Sequence, residues 1–197
     1  MARPKEFDVD EVLDRAISLF RANGFEATSM QDLVGHLGIN RGSIYGTFES
    51  KERLYQLALD RYIESGRSLL DELLTLDLPL RARLELVLIA LVANAKGRGC
   101  LVVNTACERN HQHPPSKQAT TEAFAITRGR LVEAFEAGEQ SGELRASLTP
   151  QVAADLILLL AQGLLVMTTT DADETTLGPV INATLDQVTW PHRATHP

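Results

Sequence analysis

A short run of hydrogen-bond donors begins at Arg41 and ends at Lys51, in the segment RGSIYGTFESK. A guanidinium group can pair with a guanine edge or with a phosphate, and the hydroxyl groups of Ser43, Tyr45 and Thr47 can donate to phosphate oxygens. Small residues separate these donors, which suits a helix that must fit closely against another surface. The segment is too short to form a core and too polar to lie in one, so neighbouring elements must position it.

Two helix starts lie upstream of these donors. Asp8 has the N-cap position of a first helix, in which apolar residues recur at helical spacing until Gly24 ends it. A second, short helix begins with either Thr28 or Ser29 as its cap. Gly38 follows its last apolar residue and suits a left-handed turn.

The donors themselves lie on a third helix, which is brief. Asn40 can cap it, it runs from roughly Arg41 to Thr47, and Ile39 and Ile44 can anchor its inner face. Ser50 then caps a long fourth helix. Three short helices with a tight glycine turn between the second and third are typical of a helix-turn-helix, whose second helix enters the major groove of DNA. The alternative from spacing alone is a plain three-helix core.

The residues around this turn are similar to those of a known family. The segment TSMQDLVGHLGINRGSIYGTFESKERLY, from Thr28 to Tyr55, resembles the N-terminal domain of the TetR family of one-component transcriptional regulators. The resemblance is specific over about residues 6–66, and beyond them it is architectural. Gly46 departs from the family pattern, in which an aromatic or polar residue is common at this place. The residues expected to contact DNA are Thr28, Ser29, Gln31, Arg41, Gly42, Ser43, Tyr45, Thr47 and Lys51.

The resemblance implies an all-α protein of about nine helices. It implies an N-terminal three-helix, helix-turn-helix DNA-binding domain at residues 1–50 and a C-terminal helical domain at residues 51–197 that binds an effector and dimerises. The implied function is that of a transcriptional repressor that binds a palindromic operator as a homodimer and is released by a small-molecule effector. We expect no cofactor.

A strongly apolar helix is predicted from Val152 to Met167, in the sequence VAADLILLLAQGLLVM. A helix that is apolar on nearly every side is buried all round. We interpret it, together with a helix from Leu177 to Val188, as the two-fold interface of a homodimer, and the alternative is a central helix of a monomer. The expected interface residues are Leu156, Leu160, Gly163, Leu164, Met167, Leu177, Ile181 and Leu185.

An effector pocket is expected within residues 80–170, because ligand pockets combine an apolar lining with a few placed polar groups. Each candidate residue has a purely structural role as its alternative. The candidates are Asn94, Asn104, Thr105, Cys107, His111, Phe124, Phe135 and Gln162.

The segment GRGCLVVNTACERNHQH contains both cysteines. Its Gly-Cys-Leu motif resembles a subset of TetR-like regulators, some of which sense electrophiles or oxidants through the thiol. Arg98 and a helix N-terminus near Cys100 would make its thiol reactive, and the alternative is a small buried apolar residue. Cys107, His111 and His113 have the residue types of a soft-metal site, although a solvated loop is the default and we predict no metal.

The formal net charge is −7, and neither residues 1–60 nor the remainder is basic. A nucleic-acid partner must therefore meet a local patch, formed by Arg3 and Lys5 before the first helix and by Arg41 and Lys51 around the third. The acidic residues of the first helix are expected to face away.

Other classes of protein are disfavoured by what the sequence lacks. It contains no nucleophile elbow, phosphate-binding loop, H-E-x-x-H motif or paired-cysteine zinc spacing, which argues against an enzyme. The polar start and the short apolar run from Leu156 to Met167 argue against a membrane protein, so we expect a cytoplasmic location. A helical module that binds a different protein partner remains the third alternative.

Overall fold

The computed structural model describes residues 7–95, 97–108, 113–170 and 174–190. These residues form nine helices and no strand, apart from one isolated bridge between Leu144 and Thr189, which confirms the predicted all-α fold. The helices are α1 (Val9–Asn23), α2 (Met30–Leu37), α3 (Arg41–Phe48), α4 (Lys51–Leu74), α5 (Leu80–Ala95), α6 (Leu101–Cys107), α7 (Pro114–Gln140), α8 (Pro150–Met167) and α9 (Glu174–Val188).

Several helix starts are capped by side chains, at Asp8, Asn40 and Ser50 as the sequence predicts. The side-chain oxygens of five residues accept hydrogen bonds from backbone N–H groups two or three residues later: Asp8, Ser29, Asn40, Ser50 and Thr149. The choice between Thr28 and Ser29 is resolved in favour of Ser29. Each cap satisfies an N–H group that has no partner inside the helix, and this fixes where the helix begins.

Helix α7 begins with two prolines, because both Pro114 and Pro115 belong to its first turn. Proline is tolerated in the first turn because the N–H group it lacks would have no partner there. The prolines therefore start α7.

The first compact unit comprises residues 1–65 and 100–121, so it contains α1 to α3, the beginning of α4, α6 and the beginning of α7. Its core contains an aromatic cluster in which the Tyr55 ring meets the rings of Phe20 and Phe25 edge-on, at centroid distances of 4.8 and 4.9 Å. Leu33, Leu37 and other apolar residues of α2 to α4 complete it. The functional division of the chain at residues 50 and 51 stays a prediction.

The second compact unit comprises residues 66–99 and 122–197. Its core is built mainly from leucine, with Phe135 as its largest fully buried side chain. Arg128 of α7 binds the Asp155 carboxylate of α8 through two nitrogens, and Arg81 of α5 reaches Asp186 of α9. These ion pairs lie around an apolar centre formed by α5, α7, α8 and α9.

Helix α8 is, among the described residues, the one helix long and apolar enough to cross a membrane by length and composition, with 18 residues and a mean hydropathy of 1.7. However, seven of its residues are buried in the second unit: Pro150, Ala153, Ala154, Ile157, Ala161, Leu164 and Leu165. One side of α8 therefore packs into the core of this unit.

Candidate nucleic-acid interface

The start of α2 is fixed by a reciprocal pair of hydrogen bonds. The Ser29 hydroxyl accepts from the Asp32 backbone N–H at 3.2 Å, and the Asp32 carboxylate accepts from the Ser29 backbone N–H at 2.8 Å. Hydrogen bonds from the hydroxyl and the backbone of Ser29 lower the pKa of Asp32, so this carboxylate is ionised near neutral pH. The first turn of α2 is therefore held in one geometry.

The turn from α2 to α3 is held on both sides. Gly38 has a φ of 70°, which is the left-handed conformation that glycine adopts without strain. The Arg15 guanidinium donates to the Leu37 carbonyl at 3.1 Å, and the Asn40 side chain accepts from the Ser43 backbone N–H at 2.8 Å. The orientation of α3 on α2 follows from these contacts.

Helix α3 has an apolar inner face and an outer face of small and donor residues. Ile44 and Phe48 are buried in the first unit. Because they are four residues apart, the positions between them are left for the other side of the helix. The exposed positions are Arg41, Gly42, Tyr45 and Gly46.

Arg41 and Tyr45 form a pair on this outer face. The guanidinium carbon lies 5.5 Å from the centre of the Tyr45 ring, and a guanidinium nitrogen lies 3.5 Å from the phenol oxygen. The pair is one turn apart, which is the spacing of neighbours on a helix surface. It presents a cation and a hydroxyl donor side by side on one exposed surface.

Lys51, at the start of α4, is held against an aromatic ring. Its ammonium nitrogen lies 4.2 Å from the centre of the Phe25 ring, and the residue is half-buried. This is the geometry of a cation–π contact. The preceding Glu49 ends α3 with a φ of 68°, an uncommon conformation for a residue other than glycine.

The remaining residues expected to contact DNA differ in exposure. Thr28 is fully buried, and its hydroxyl donates to the Gly24 carbonyl at 2.6 Å. Its side chain lies inside the turn before α2 and is unavailable to DNA, so the expected contact of Thr28 with DNA is wrong. Ser29 is exposed but is engaged in the cap of α2. Gln31 is exposed, and two hydroxyl residues of α3 are half-buried: Ser43 and Thr47.

The eight effector candidates are divided between the two units. In the first unit, the Asn104 amide donates to the Arg21 carbonyl, and the buried Thr105 hydroxyl meets the Tyr55 hydroxyl at 2.8 Å. Cys107 is exposed. In the second unit, Phe135 is a core residue, Phe124 is half-buried and Asn94 is exposed. The Gln162 carbonyl oxygen is buried without a hydrogen-bond partner among the described residues.

Two cavities in the described part of the chain are lined by residues other than the effector candidates. A cavity of about 460 Å³ in the first unit is lined by residues that include Asp8, Glu11 and Arg15. A cavity of about 530 Å³ in the second unit is lined by α8 and α9. Neither is lined by any of the eight candidates. His111 lies outside the described residues, and the effector pocket stays a prediction.

The residues expected at the dimer interface are also divided, this time by burial. Four of them pack into the core of the second unit and are removed from the interface: Leu164, Leu177, Ile181 and Leu185. Leu160 is half-buried, whereas Leu156, Gly163 and Met167 are exposed. Sequence reasoning missed exposed neighbours on the same surface, because a helix that is apolar all round does not reveal which side faces out. These neighbours are Val152, Leu159, Val166 and Val180.

Cys100 lies at the N-cap position of α6 and is half-buried. Burial first, and then the neighbouring Cys100, raise the pKa of Tyr62. The thiol sensor stays a prediction. Among the described residues no group of three His, Cys, Asp or Glu is placed to hold a metal ion, and His111 lies outside them.

Comparisons with known proteins agree with this arrangement of helices. Residues 12–58 match the family model for bacterial regulatory proteins of the tetR family, and residues 80–184 match that for the tetracyclin repressor-like C-terminal domain. An uncharacterised HTH-type transcriptional regulator of Bacillus subtilis, YezE, is 34% identical over 152 residues, which are 73% of this chain and 78% of the relative. The HTH-type transcriptional repressor DhaR of a Mycobacterium species is 26% identical, with 77% of each chain covered.

A solved structure is similar to this chain in fold. It is a cysteine mutant of the TetR family regulator CifR in complex with a double-stranded operator of 26 base pairs. The match has a TM-score of 0.85 and 26% identity, and covers 96% of this chain and 100% of the other.

Proposed function

Since this chain belongs to the TetR family of bacterial transcriptional regulators, we propose that it is a repressor that binds a palindromic operator as a homodimer and is released by a small-molecule effector. Family membership makes it a DNA-binding regulator and not an enzyme. The repressor DhaR and the operator-bound CifR structure support the finer proposal.

The observation that carries the proposal is the outer face of α3. Arg41 and Tyr45 stand exposed on it, and glycines occupy the two other exposed positions. A helix that enters the major groove needs a narrow profile and a few donors. In this arrangement the guanidinium group of Arg41 pairs with a guanine edge or a phosphate, and the Tyr45 hydroxyl donates to the DNA backbone.

Contacts from the neighbouring elements fix the position of α3 on the duplex. Exposed Gln31 and the backbone N–H groups at the start of α2, next to Ser29, are suited to phosphates. Ser43 and Thr47 flank the groove-facing positions. Lys51 contributes positive charge from its fixed place over the Phe25 ring. These groups orient α3 on the duplex, and the contacts of α3 with base edges make the binding sequence-specific.

The acidic net charge of −7 limits how this binding works. Long-range attraction cannot supply the affinity, so local pairing must. On α1, Asp10 and Asp14 are held by Arg61 at 3.0 and 2.7 Å, which neutralises part of the acidic surface of the first unit. The Arg61 hydrogen bond also lowers the pKa of Asp14. The Arg3 and Lys5 arm lies outside the described residues.

The homodimer is proposed on the exposed apolar surface of α8 and α9. Leu159 is 70% exposed, Val166 51% and Val180 48%, and Val180 and the exposed Leu156 line a cavity between the two helices. Contiguous exposed apolar surface of this kind typically marks an interaction site. A two-fold interface on this surface would give the dimer two copies of the segment from α1 to α3, here called the reading head, one for each half-site.

The effector is proposed to bind within the helical domain and to act on DNA binding from there. A coupling free energy of about 1–3 kcal/mol between the two sites is sufficient for release. The buried carbonyl oxygen of Gln162, which lacks a partner among the described residues, supports a ligand that carries an N–H or O–H donor. We place the protein in the cytoplasm, where the DNA is.

The proposal is tested by selecting duplexes from a random library with the wild-type protein and measuring affinity by fluorescence anisotropy. We expect a palindrome to be enriched. The double variant Arg41→Ala/Tyr45→Ala should bind the selected duplex about a hundredfold more weakly, because each lost contact costs about 1–3 kcal/mol. Arg98→Ala removes the same charge from an exposed position of the second unit and should bind normally. Unchanged affinity of the double variant would contradict the proposal.

A further inference from the structure

The turn between α1 and α2 is fastened by side chains of α6. The Asn104 amide donates to the Arg21 carbonyl in the last turn of α1 at 3.1 Å. The two oxygens of the Glu108 carboxylate accept from the backbone N–H groups of Phe25 and Glu26, at 3.2 and 2.8 Å. All these residues belong to the first compact unit. A single carboxylate thus holds two consecutive amides of a turn that is more than 80 residues away in sequence.

The approach of this carboxylate is close. Gly24 ends α1 with a φ of 78°, and a Cβ atom at that position would lie 3.1 Å from an oxygen of Glu108. Glycine therefore provides both the backbone conformation and the space that the carboxylate occupies. Hydrogen bonds from backbone N–H groups to an ionised carboxylate are roughly twice as strong as those between neutral groups.

Helix α6 is itself seated on the core of the first unit. The Thr105 hydroxyl and the Tyr55 hydroxyl are 2.8 Å apart and buried. The Tyr55 ring packs edge-on against Phe20 and Phe25. Burial raises the pKa of Tyr55 to about 12, so its phenol stays neutral. The aromatic cluster thus fixes α6, and Glu108 extends from the end of that helix to the turn.

The held turn leads directly into α2. Thr28 donates its hydroxyl to the Gly24 carbonyl at 2.6 Å, and Ser29 then caps α2. The Gly38 turn connects α2 to α3. A shift of the backbone at Phe25 and Glu26 would therefore tilt α2, and α3 with it, relative to α1.

We propose that Glu108 is a positioning residue for operator recognition: its carboxylate fixes the α1–α2 turn in the geometry that presents α3 to DNA, without touching DNA itself. The inference rests on the proposed function. The contact between Glu108 and the α1–α2 turn could not be predicted from local sequence, because it joins a position just after α6 to a turn in the N-terminal part of the chain.

The charge of Glu108 separates positioning from electrostatics. Loss of one negative charge from an acidic protein should strengthen binding to DNA phosphates if charge alone decides. Loss of positioning should weaken specific binding instead. The exposed Glu26 side chain lies in the same turn and serves as the charge-matched control.

The test compares Glu108→Ala, Glu108→Gln and Glu26→Gln with the wild-type protein on two duplexes: the duplex that the wild type selects from a random library and a scrambled duplex of the same composition. We expect Glu108→Ala to bind the selected duplex about tenfold more weakly, the equivalent of one charge-assisted hydrogen bond. Its affinity for the scrambled duplex should stay within twofold of that of the wild type, because nonspecific binding depends on phosphates alone. Glu108→Gln keeps one acceptor oxygen and should be intermediate, whereas Glu26→Gln should show no loss.

The outcomes are distinct. A wild-type protein that enriches no sequence contradicts the proposed function, and the positioning role with it. If the wild type selects a duplex but Glu108→Gln keeps the full ratio of selected to scrambled affinity, only the positioning role is overturned. Equal losses on both duplexes, with a lowered melting temperature, would show a merely structural role and would also overturn it. If Glu108→Ala does not fold, Glu108→Gln decides.

Discussion

Two surfaces of this molecule use opposite chemistry. The outer face of α3 carries one guanidinium, one phenol and two glycines, so it is narrow and rich in donors. The outer face of α8 carries large apolar side chains, with Leu159 the most exposed at 70%. Exposed donor groups form hydrogen bonds with water, so they gain from a partner only when it offers matching acceptors. Exposed leucines, in contrast, favour burial against any apolar surface. The first surface is therefore suited to a transient, specific partner and the second to a permanent one.

The largest expected effect comes from breaking the apolar surface. Leu159→Glu should keep the fold, because the side chain is exposed, but should abolish self-association by burying a charge without a partner. Binding to the selected duplex should then fall by between about a hundredfold and ten-thousandfold, because the second reading head is no longer tethered to the first. Light scattering and anisotropy measure the two effects.

A control for this prediction is available in the same unit. Ile89 of α5 is 49% exposed and apolar, so Ile89→Glu introduces the same charge at an exposed apolar position on a different helix. We expect this variant to stay dimeric and to bind DNA normally. A Leu159→Glu protein that remains a dimer would contradict the proposed interface, and loss of self-association in both variants would show that the effect is not local to α8.

The two surfaces also differ in how far the sequence reveals them. Asp8 and Asn40 cap helices through contacts within three residues, so their spacing alone predicts where α1 and α3 begin, and the start of α2 is predicted to within one residue, at Thr28 or Ser29. On α8 the same reasoning selected Leu164, which is 2% exposed, and missed Leu159. Leucine stands at both positions, and only the packing of α5, α7 and α9 decides which one is covered. Thr28 shows the same limit in the reading head, because its burial depends on the fold of the turn.

The second prediction concerns the glycines of the reading head. A Cβ atom added at Gly46 would meet nothing within 4 Å, and the same is true of Gly129 in the interior of α7. Alanine at either position should therefore stabilise its helix, by about 0.5–1 kcal/mol. For Gly46→Ala we expect operator affinity to fall about tenfold nonetheless, since the methyl group occupies space that the groove wall needs.

Gly46→Ala is expected to raise stability and to lower operator affinity, so the two effects can be told apart. The melting temperature should rise in both variants. Anisotropy should report weaker operator binding in Gly46→Ala only. If Gly46→Ala bound the selected duplex as tightly as Gly129→Ala does, α3 would not approach DNA closely at this position. The departure of Gly46 from the family pattern would then have no role in recognition.

The smallest expected effect lies in the caps that position the two surfaces. Ser29→Ala and Thr149→Ala each remove the N-cap hydroxyl of a helix, α2 in the first unit and α8 in the second. Each should lower the free energy of unfolding by about 1 kcal/mol. Only Ser29→Ala should also change a titration, because hydrogen bonds from Ser29 lower the pKa of Asp32 below its ordinary value of 3.8.

The direction of the pH effect follows from that lowered pKa. A carboxyl group whose pKa is lower in the folded state than in the unfolded state contributes stability above the unfolded value, and this contribution is lost as the pH falls through the folded value. In Ser29→Ala the pKa of Asp32 should rise towards 3.8, so less stability is lost below about pH 4. Carboxyl NMR titration of Asp32 measures the shift, with Thr149→Ala as the variant in which it should be absent. An Asp32 that titrates identically in Ser29→Ala and in the wild type would mean that the Ser29 hydroxyl does not set its pKa, and that the start of α2 is held by the backbone contact alone.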